Sequence, residues 1–226
     1  MLARGVQEEH VRRGIETTLM AAALAVAPAA LAHAQAGAAA APAAATAAET
    51  WTVDRVHSDA SFQIRHLVSK VRGRFTDFEG TLKIDRARPE ASSVELKIKT
   101  ASIDTANQRR DDHLRSADFF DAANNPEITF KSSKVVSRGA DKYDVTGTFT
   151  MRGVAREITV PVTFLGFGND GRGTEKAGFE TTTALNRKDF GIVWNKALDT
   201  GGAVLGDEVQ VTFNIEANKV APPAAN

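Results

Sequence analysis

The chain has no cysteine among its 226 residues. That absence excludes a disulfide scaffold, a thiolate metal site, a cysteine nucleophile and the lipid-carrying cysteine of a bacterial lipoprotein. Tyrosine and tryptophan are scarce, at 1 and 2 residues against 12 phenylalanines. Phenylalanine is the aromatic that lines a dry interior without needing a hydrogen-bond partner. Charge of one sign is missing too, since Lys+Arg 28 balance Asp+Glu 28. With no global basic bias, neither nucleic acid nor an anionic membrane surface is indicated as a partner. The apolar run from Leu19 to Leu31 is shorter than the roughly 18–20 residues of a membrane span. No membrane span is expected in the mature protein.

What is present at the start of the chain has the layout of a cleaved secretory signal over residues 1–34. Arg12 and Arg13 supply the positive end, the apolar run follows, and Ala32-His33-Ala34 gives the small-x-small cleavage pattern. Glu16 stands where a twin-arginine signal wants an apolar residue, which favours the general secretory route. Residues 35–50 are mostly alanine, with Pro42 among them, and read as a disordered linker. A folded domain is expected over residues 51–217, followed by a disordered tail, 218–226, containing Pro222-Pro223.

From Trp51 onward the dominant signal is alternation. Ala60, Phe62 and Ile64 oppose Ser61, Gln63 and Arg65; Phe78, Leu82 and Ile84 oppose Glu79, Thr81 and Lys83. The pattern returns at Val94/Leu96/Ile98, Ile128/Phe130, Tyr143/Val145/Phe149, Ile158/Val160/Val162/Phe164 and Val209/Val211/Phe213/Ile215, with Phe179 among alternating threonines. Side chains two apart share a face of a strand, so each run is a strand with one buried face. Turn residues at Arg138-Gly139-Ala140-Asp141, Met151-Arg152-Gly153 and Gly166–Gly171 separate the runs. The pattern predicts eight strands, roughly 58–65, 71–85, 92–103, 126–137, 141–151, 154–167, 173–187 and 206–217. The fold class is all-β: an extended antiparallel up-and-down barrel, or a two-sheet sandwich as the alternative. A barrel of long strands with an apolar lining is taller than a core requires and suits an elongated apolar guest.

Several motifs carry a family resemblance. Trp51-Thr-Val-Asp54-x-x-His57-Ser58-x-x-x-Phe62 opens the series, followed by His66-Leu67, Gly73-x-Phe75 and Phe78-x-Gly80. Then come Arg110-Asp111-x-His113-Leu114-x-Ser116-x-Asp118-Phe119-Phe120, Pro126-x-Ile128-x-Phe130 and Asn186-Arg187-x-Asp189-Phe190-Gly191-Ile192. In this order the set resembles the YceI-like family across residues 51–217. The resemblance implies a lipocalin-like extended barrel, exported to the periplasm, that encloses a polyisoprenoid or similar long-chain amphiphile. Its ligand is then that lipid, a prenyl quinone or prenol type, held for transport, storage or sequestration; no cofactor is implied, and a homodimer is left open.

Alternation puts Phe62, Ile64, Leu67, Phe75, Phe78, Leu82, Leu96, Ile98, Phe119, Phe120, Phe130, Phe149, Phe164, Phe179 and Phe213 forward as the lining of such a chamber. The stretch Asn107–Asp121 breaks the alternation. Asp111 and Arg115, four apart, fit an exposed helix, and Leu114, Ala117 and Phe120 give it an apolar stripe. A short helical insert over residues 105–121 is expected to cover one end of the barrel. Arg110, Asp111, His113, Arg187 and Asp189 are candidates for the mouth, either pairing with one another or holding a lipid head group.

Two other chemistries compete. His57, His66 and His113, with Asp111 and Asp112 beside the last, lack the close spacing of a local metal clamp, so no metal site is expected. Asp54, His57 and Ser58 have the composition of a triad, but neighbouring strand residues point to opposite faces. No nucleophile-elbow pattern surrounds Ser58, and no enzymatic role is expected. A ligand-free interaction or stress module with a solid core is the remaining alternative.

Overall fold

The computed structural model describes residues 48–198 and 203–221. The expected signal, the linker up to residue 47 and the tail from residue 222 lie outside the described residues. Along the chain come β1 (Glu49–Val53), β2 (Asp59–His66), β3 (Ser69–Phe75), β4 (Phe78–Ile84), β5 (Ser93–Lys99) and β6 (Ile103–Asp104). The helix α1 (Gln108–Arg115) follows, then β7 (Glu127–Gly139), β8 (Lys142–Met151), β9 (Val154–Asn169), β10 (Glu175–Asn186) and β11 (Leu205–Lys219).

β4, β5, β7, β8, β9, β10 and β11 pair in succession, and β1 closes the ring by pairing with both β4 and β11. Every pairing is antiparallel, so the architecture is an eight-stranded closed barrel rather than a sandwich. One edge of β11 takes two partners along its length: β2 opposite residues 205–214 and β1 opposite residues 217–219. β2, β3 and β6 form a ribbon that continues the wall on that side.

The ring has the expected number of strands but not the expected members. β1 was not anticipated, and two anticipated strands are broken. Residues 71–85 divide at Thr76-Asp77 and residues 92–103 at a 3₁₀ turn, Thr100–Ser102. Phase is the reason for the first break. Phe75 and Phe78 both face inward, and an odd separation cannot keep one face within one strand. The bend is pinned where Thr76 N–H donates to Ser102 O (3.1 Å) and Lys99 N–H to Asp77 O (2.9 Å). A bulge at Ser133 shifts the inward phase of β7 from Ile128 and Phe130 to Val135 in the same way.

Domain edges also move. Glu49 and Thr50, assigned to the linker, are strand, and β11 continues through Asn218 and Lys219, assigned to the tail. Val220 N–H still donates to Thr50 O (2.8 Å). β9 likewise runs through Gly166 and Gly168 to Asn169, so the glycine-rich loop is shorter than expected. The hairpins at Ala140-Asp141 and Arg152-Gly153 have positive φ at both turn residues, the primed geometry that matches strand twist.

α1 is shorter than the insert predicted for residues 105–121. Asn107 caps it, its side chain accepting from Arg110 N–H (3.0 Å), and Ser116 ends it. Asp121 organises the return, accepting from the side-chain amides of Asn124 (3.0 Å) and Asn125 (3.3 Å).

Candidate functional site

The barrel is not solid. It holds a cavity of about 810 Å³ at the α1 end and a second of about 410 Å³ toward the opposite end. Phe149, Leu185, Val211 and Phe213 line both, so the two chambers abut across a neck made by these four side chains. Volumes of this order are typical of ligand sites. The ligand-free reading with a filled core does not fit this interior.

Phe62, Ile64, Phe75, Ile98, Phe119 and Phe120 line the larger chamber. Leu82, Leu96, Phe130, Phe164 and Phe179 line the smaller, and Phe149 and Phe213 stand at the neck. Two expected lining residues are elsewhere. Leu67 lies in the β2–β3 turn, 42% exposed, because the strand ends at His66. Phe78 is packed into the wall at 5% exposure, beside the bend that broke its strand. In the larger chamber Val71, Leu185, Ile192, Trp194 and Leu205 were not anticipated, while Val209 and Val211 were alternating strand positions not named as lining. In the smaller, Val145, Ile158, Val160, Val162 and Ile215 were in view as alternating strand positions yet were not named as lining. Trp194 lies outside the strands, and no periodicity marks it.

Polar lining of the larger chamber gathers where the β2–β3 turn meets α1: His66 and Ser69 on one side, Asn107, Arg109, Arg110 and His113 on the other. Arg110 is held by Thr105, its Nε donating to Oγ1 and its Nη2 to the carbonyl, both at 2.7 Å. Asp111 is buried rather than exposed. It accepts from Thr105 N–H (3.0 Å) and from the Thr105 hydroxyl, and it lies outside both chambers. The partner of Arg115 is accordingly Asp112 (3.1 Å), and Arg115 also donates to Ala101 O and Ile103 O (2.8 Å each). His113 Nε2 donates to Asp118 (2.8 Å), and its ring packs edge-on against Phe119 (5.0 Å) and Trp194 (4.9 Å). The Phe pair divides: Phe119 closes this ring cluster, while Phe120 meets Phe75 edge-on at 5.9 Å.

Arg187 lines the larger chamber but does not pair with α1. Its buried guanidinium donates to the carbonyls of Gly206 (2.9 Å), Ile192 (2.8 Å) and Trp194 (2.8 Å), and to Asp207 (3.2 Å). Asp189 is outside both chambers and exposed. Pairing between the helical insert and residues 187–189, one of the two readings of these charges, is not formed, and two separate networks stand in its place. Arg187 fastens the segment after β10, and Arg110 with Arg115 fastens α1.

The opposite end is closed by charge and aromatics. Arg86 bridges Glu49 (2.8 Å) and Glu175 (2.6 Å) while its guanidinium stands 3.9 Å from the centre of the Phe167 ring. Lys219 joins the same two carboxylates. Inside the smaller chamber Thr181 and Thr183 add hydroxyls to an apolar wall, and Thr181 Oγ1 has no hydrogen-bond partner.

Asp54, His57 and Ser58 lie in the turn between β1 and β2 rather than in a strand, and there Asp54 meets His57 while Ser58 is bonded elsewhere, so the three do not form a triad. Their bonding is structural. Ser58 Oγ donates to Glu216 O (3.2 Å) and accepts from Glu216 N–H (3.0 Å), so the hydroxyl is committed to β11 and not to the imidazole. His57 Nδ1 lies 3.0 Å from Asp54 Oδ2. Asp54, His57 and Glu216 form the one cluster of possible metal ligands among the described residues. Lys176 Nζ sits within it, 2.9 Å from Asp54 and 3.0 Å from Glu216. An ammonium already occupies the space between the two carboxylates and would repel a cation there, so the donor set does not fit a metal ion.

Comparisons with known proteins agree with this architecture. The family model for the YceI-like domain matches residues 51–217. A UPF0312 protein of Azotobacter vinelandii is 42% identical over 161 residues, 71% of this chain and 81% of that protein. Burkholderia cenocepacia BcnA matches with a TM-score of 0.65 at 30% identity, covering 73% of this chain and 98% of BcnA. The Campylobacter jejuni YCEI protein matches with a TM-score of 0.61 at 33% identity, over 70% and 91% of the two chains. A polyisoprenoid binding domain from Saccharophagus degradans shares the fold, with a TM-score of 0.57 at 16% identity over 77% of this chain and 100% of that domain. The chain belongs to the YceI-like family.

Proposed function

We propose that this protein is an exported, periplasmic carrier that encloses one long-chain amphiphile of polyisoprenoid type, prenyl quinone or prenol, within its barrel. The observation that carries the reading is the pair of abutting chambers, lined almost throughout by aliphatic and phenylalanine side chains. Enclosing hydrocarbon there removes it from water at roughly 25 cal/mol per Å², and ordering the tail offsets part of that gain. Shape and tail length therefore select the guest. The polar side chains near the β2–β3 turn and α1 orient its head, with Arg109 and His66 nearest in chemistry to a ketone, hydroxyl or phosphate. The polyisoprenoid binding domain of the same fold supports the class of guest, and the layout of residues 1–34 supports export. No catalytic step is part of the proposal.

Native mass spectrometry of the exported protein, followed by solvent extraction, tests it. A co-purifying isoprenoid, or uptake of an offered prenol or prenyl quinone at one per chain, is the expected result. A clean apo mass with no uptake of either overturns it.

A further inference from the structure

The β2–β3 ribbon is uneven in charge. Between Asp59 and Asp77 it carries Arg65, Lys70, Arg72 and Arg74 and no acid, in a chain whose formal net charge is zero. All four are exposed and lie on its outer face, where the register sets Arg65 opposite Lys70, Gln63 opposite Arg72 and Ser61 opposite Arg74. The alternate residues Phe62, Ile64 and Val71 face the other way and line the larger chamber. Like charges directly opposite one another repel, so the Arg65–Lys70 pair weakens the ribbon unless an anion lies over it. Arg74 pairs with Asp104 (3.3 Å) at the end away from the turn. Among the described residues Arg65, Lys70 and Arg72 are in no ion pair, and Glu208, exposed on the neighbouring β11, meets none of them.

The turn at the end of this ribbon is apolar and held outward. Val68 is fully exposed, and Leu67 has a φ of 51°, a left-handed conformation that leucine rarely adopts. Leu67 N–H donates to Val204 O (2.9 Å), Arg65 Nη1 to Leu67 O (3.2 Å) and Ser69 Oγ to His66 O (3.1 Å). These bonds fix the turn with its two aliphatic side chains in solvent. Directly behind it are the polar groups of the larger chamber, His66 and Ser69, and across from them the exposed Arg109 of α1.

We infer that the β2–β3 turn and its cationic outer face dock this protein on an anionic phospholipid bilayer. Val68 and Leu67 enter the interface, Arg65, Lys70 and Arg72 lie over the headgroups, and the polar rim of the larger chamber is brought to the membrane surface. A convex apolar apex with a collar of cations suits a soft, negatively charged interface, where apolar burial and headgroup attraction add. An acidic partner alone would meet the cations but leave Val68 and Leu67 exposed, whereas a bilayer interface takes up both. The inference rests on the carrier reading, for which the membrane is the source or destination of the guest.

The test is flotation of the exported protein with vesicles of equal parts phosphatidylglycerol and phosphatidylcholine, and with phosphatidylcholine alone. Binding to the first and not the second is expected, falling as salt shortens the screening length. Each cation removed, as in Lys70→Gln and Arg72→Gln, weakens partitioning about fivefold, and Val68→Ser weakens it further. These side chains line neither chamber, so the same variants should take up a detergent-dispersed prenol as the parent does. The inference is overturned by absence of binding, by equal binding to both vesicles, by variants that bind like the parent, or by retention on immobilised polyglutamate without vesicle binding. Failure of every form to take up prenol instead removes the carrier reading, while flotation still decides the docking.

Discussion

Lys176 Nζ lies 2.9 Å from Asp54 Oδ2, joining the turn after β1 to the start of β10 across 122 residues of sequence. This contact turns a set of residues with the look of catalysis or metal binding into a latch at the seam where β1 and β2 meet β11. His57, then Lys176, then the Val56 N–H hold the Asp54 carboxyl well below its usual range of ionisation, against the opposing effect of burial.

A pH dependence follows. Because the native carboxyl is harder to protonate than the unfolded one, its contribution is complete above the unfolded pKa of about 3.8. It is lost as pH falls through the lower native value. Asp54→Asn should therefore destabilise the barrel by about 1.5–3 kcal/mol at neutral pH, the range for hydrogen bonds to charged groups. The difference from the parent should shrink steadily once the pH drops below about 4. Urea unfolding of both proteins across that range checks it. A difference that does not change with pH would mean that Asp54 acts through packing and not through its charge.

Arg187 gives a second expectation. Its guanidinium spends its donors on three carbonyls and Asp207 while its side chain is only 3% exposed. Arg187→Met leaves those acceptors unpaired and should cost about 3–5 kcal/mol, the range for breaking a buried charged network. Arg187→Lys should recover little, because an ammonium lacks the planar fork that reaches several acceptors at once. Chemical denaturation midpoints separate this from a head-group role. A binding residue would lose affinity at unchanged stability, whereas the structural role lowers the midpoint in the lysine variant as well.

The barrel was legible because alternation reports burial directly. Runs such as Ile158/Val160/Val162/Phe164 cannot face anything but an interior when their neighbours are polar. What alternation does not report is its own phase. The separation of Phe75 from Phe78 contained the bend, yet a continuous run of strand-forming residues concealed it. β1 was missed because its partners, Leu82 and Lys219, are distant in sequence and only Trp51 among its residues is fully buried. The charged stretch 107–121 was ambiguous for a different reason. Asp111 and Arg115 satisfy a helix-surface spacing, but Thr105 upstream captured Asp111 and turned it inward, and no local pattern encodes that.

Gly73 tests the register of the ribbon. A Cβ there would fall 2.5 Å from the tip of the Phe62 ring and 2.8 Å from Thr105 Cγ2. The ring is the movable neighbour, and it lines the larger chamber. Gly73→Ala should push Phe62 inward and reduce uptake of the bulkiest guests several-fold. The accompanying loss of stability should be about 1–3 kcal/mol, as for other small-to-large changes. Binding across a series of graded lipids, with unfolding measured in parallel, checks it; unaltered selectivity would place Phe62 elsewhere.

The neck between the chambers makes a prediction about length. Phe149 is 9% exposed, lines both chambers and meets Phe190 edge-on at 5.4 Å. Phe149→Ala removes the ring and joins the two spaces, at a cost of about 3–5 kcal/mol. Guests whose tails end in the larger chamber should bind much as before, while longer or bulkier tails gain relative to them. Native mass spectrometry with competing prenols of graded length reads this ratio. A ratio identical to the parent's would show that the neck does not govern which tails enter the smaller chamber.

The last prediction concerns the two phenylalanines after α1, which the structure assigns to different tasks. Phe119 is 6% exposed and completes the cluster with His113 and Trp194, so Phe119→Ala should cost about 3–5 kcal/mol and loosen the whole end of the barrel. Its effect on a guest cannot then be separated from its effect on folding. Phe120 is only partly buried and touches Phe75 across the mouth of the larger chamber. Phe120→Ala removes about 0.5–1.5 kcal/mol of aromatic pairing beyond its share of buried area. It opens the chamber without touching the networks of Arg110, Arg115 or Asp121. Release of a bound prenol to acceptor vesicles should therefore become several-fold faster, with the unfolding midpoint only slightly lowered. If release keeps the parent's rate while the variant remains folded, the segment after α1 is wall and not lid, and guest exchange must proceed past the β2–β3 turn instead.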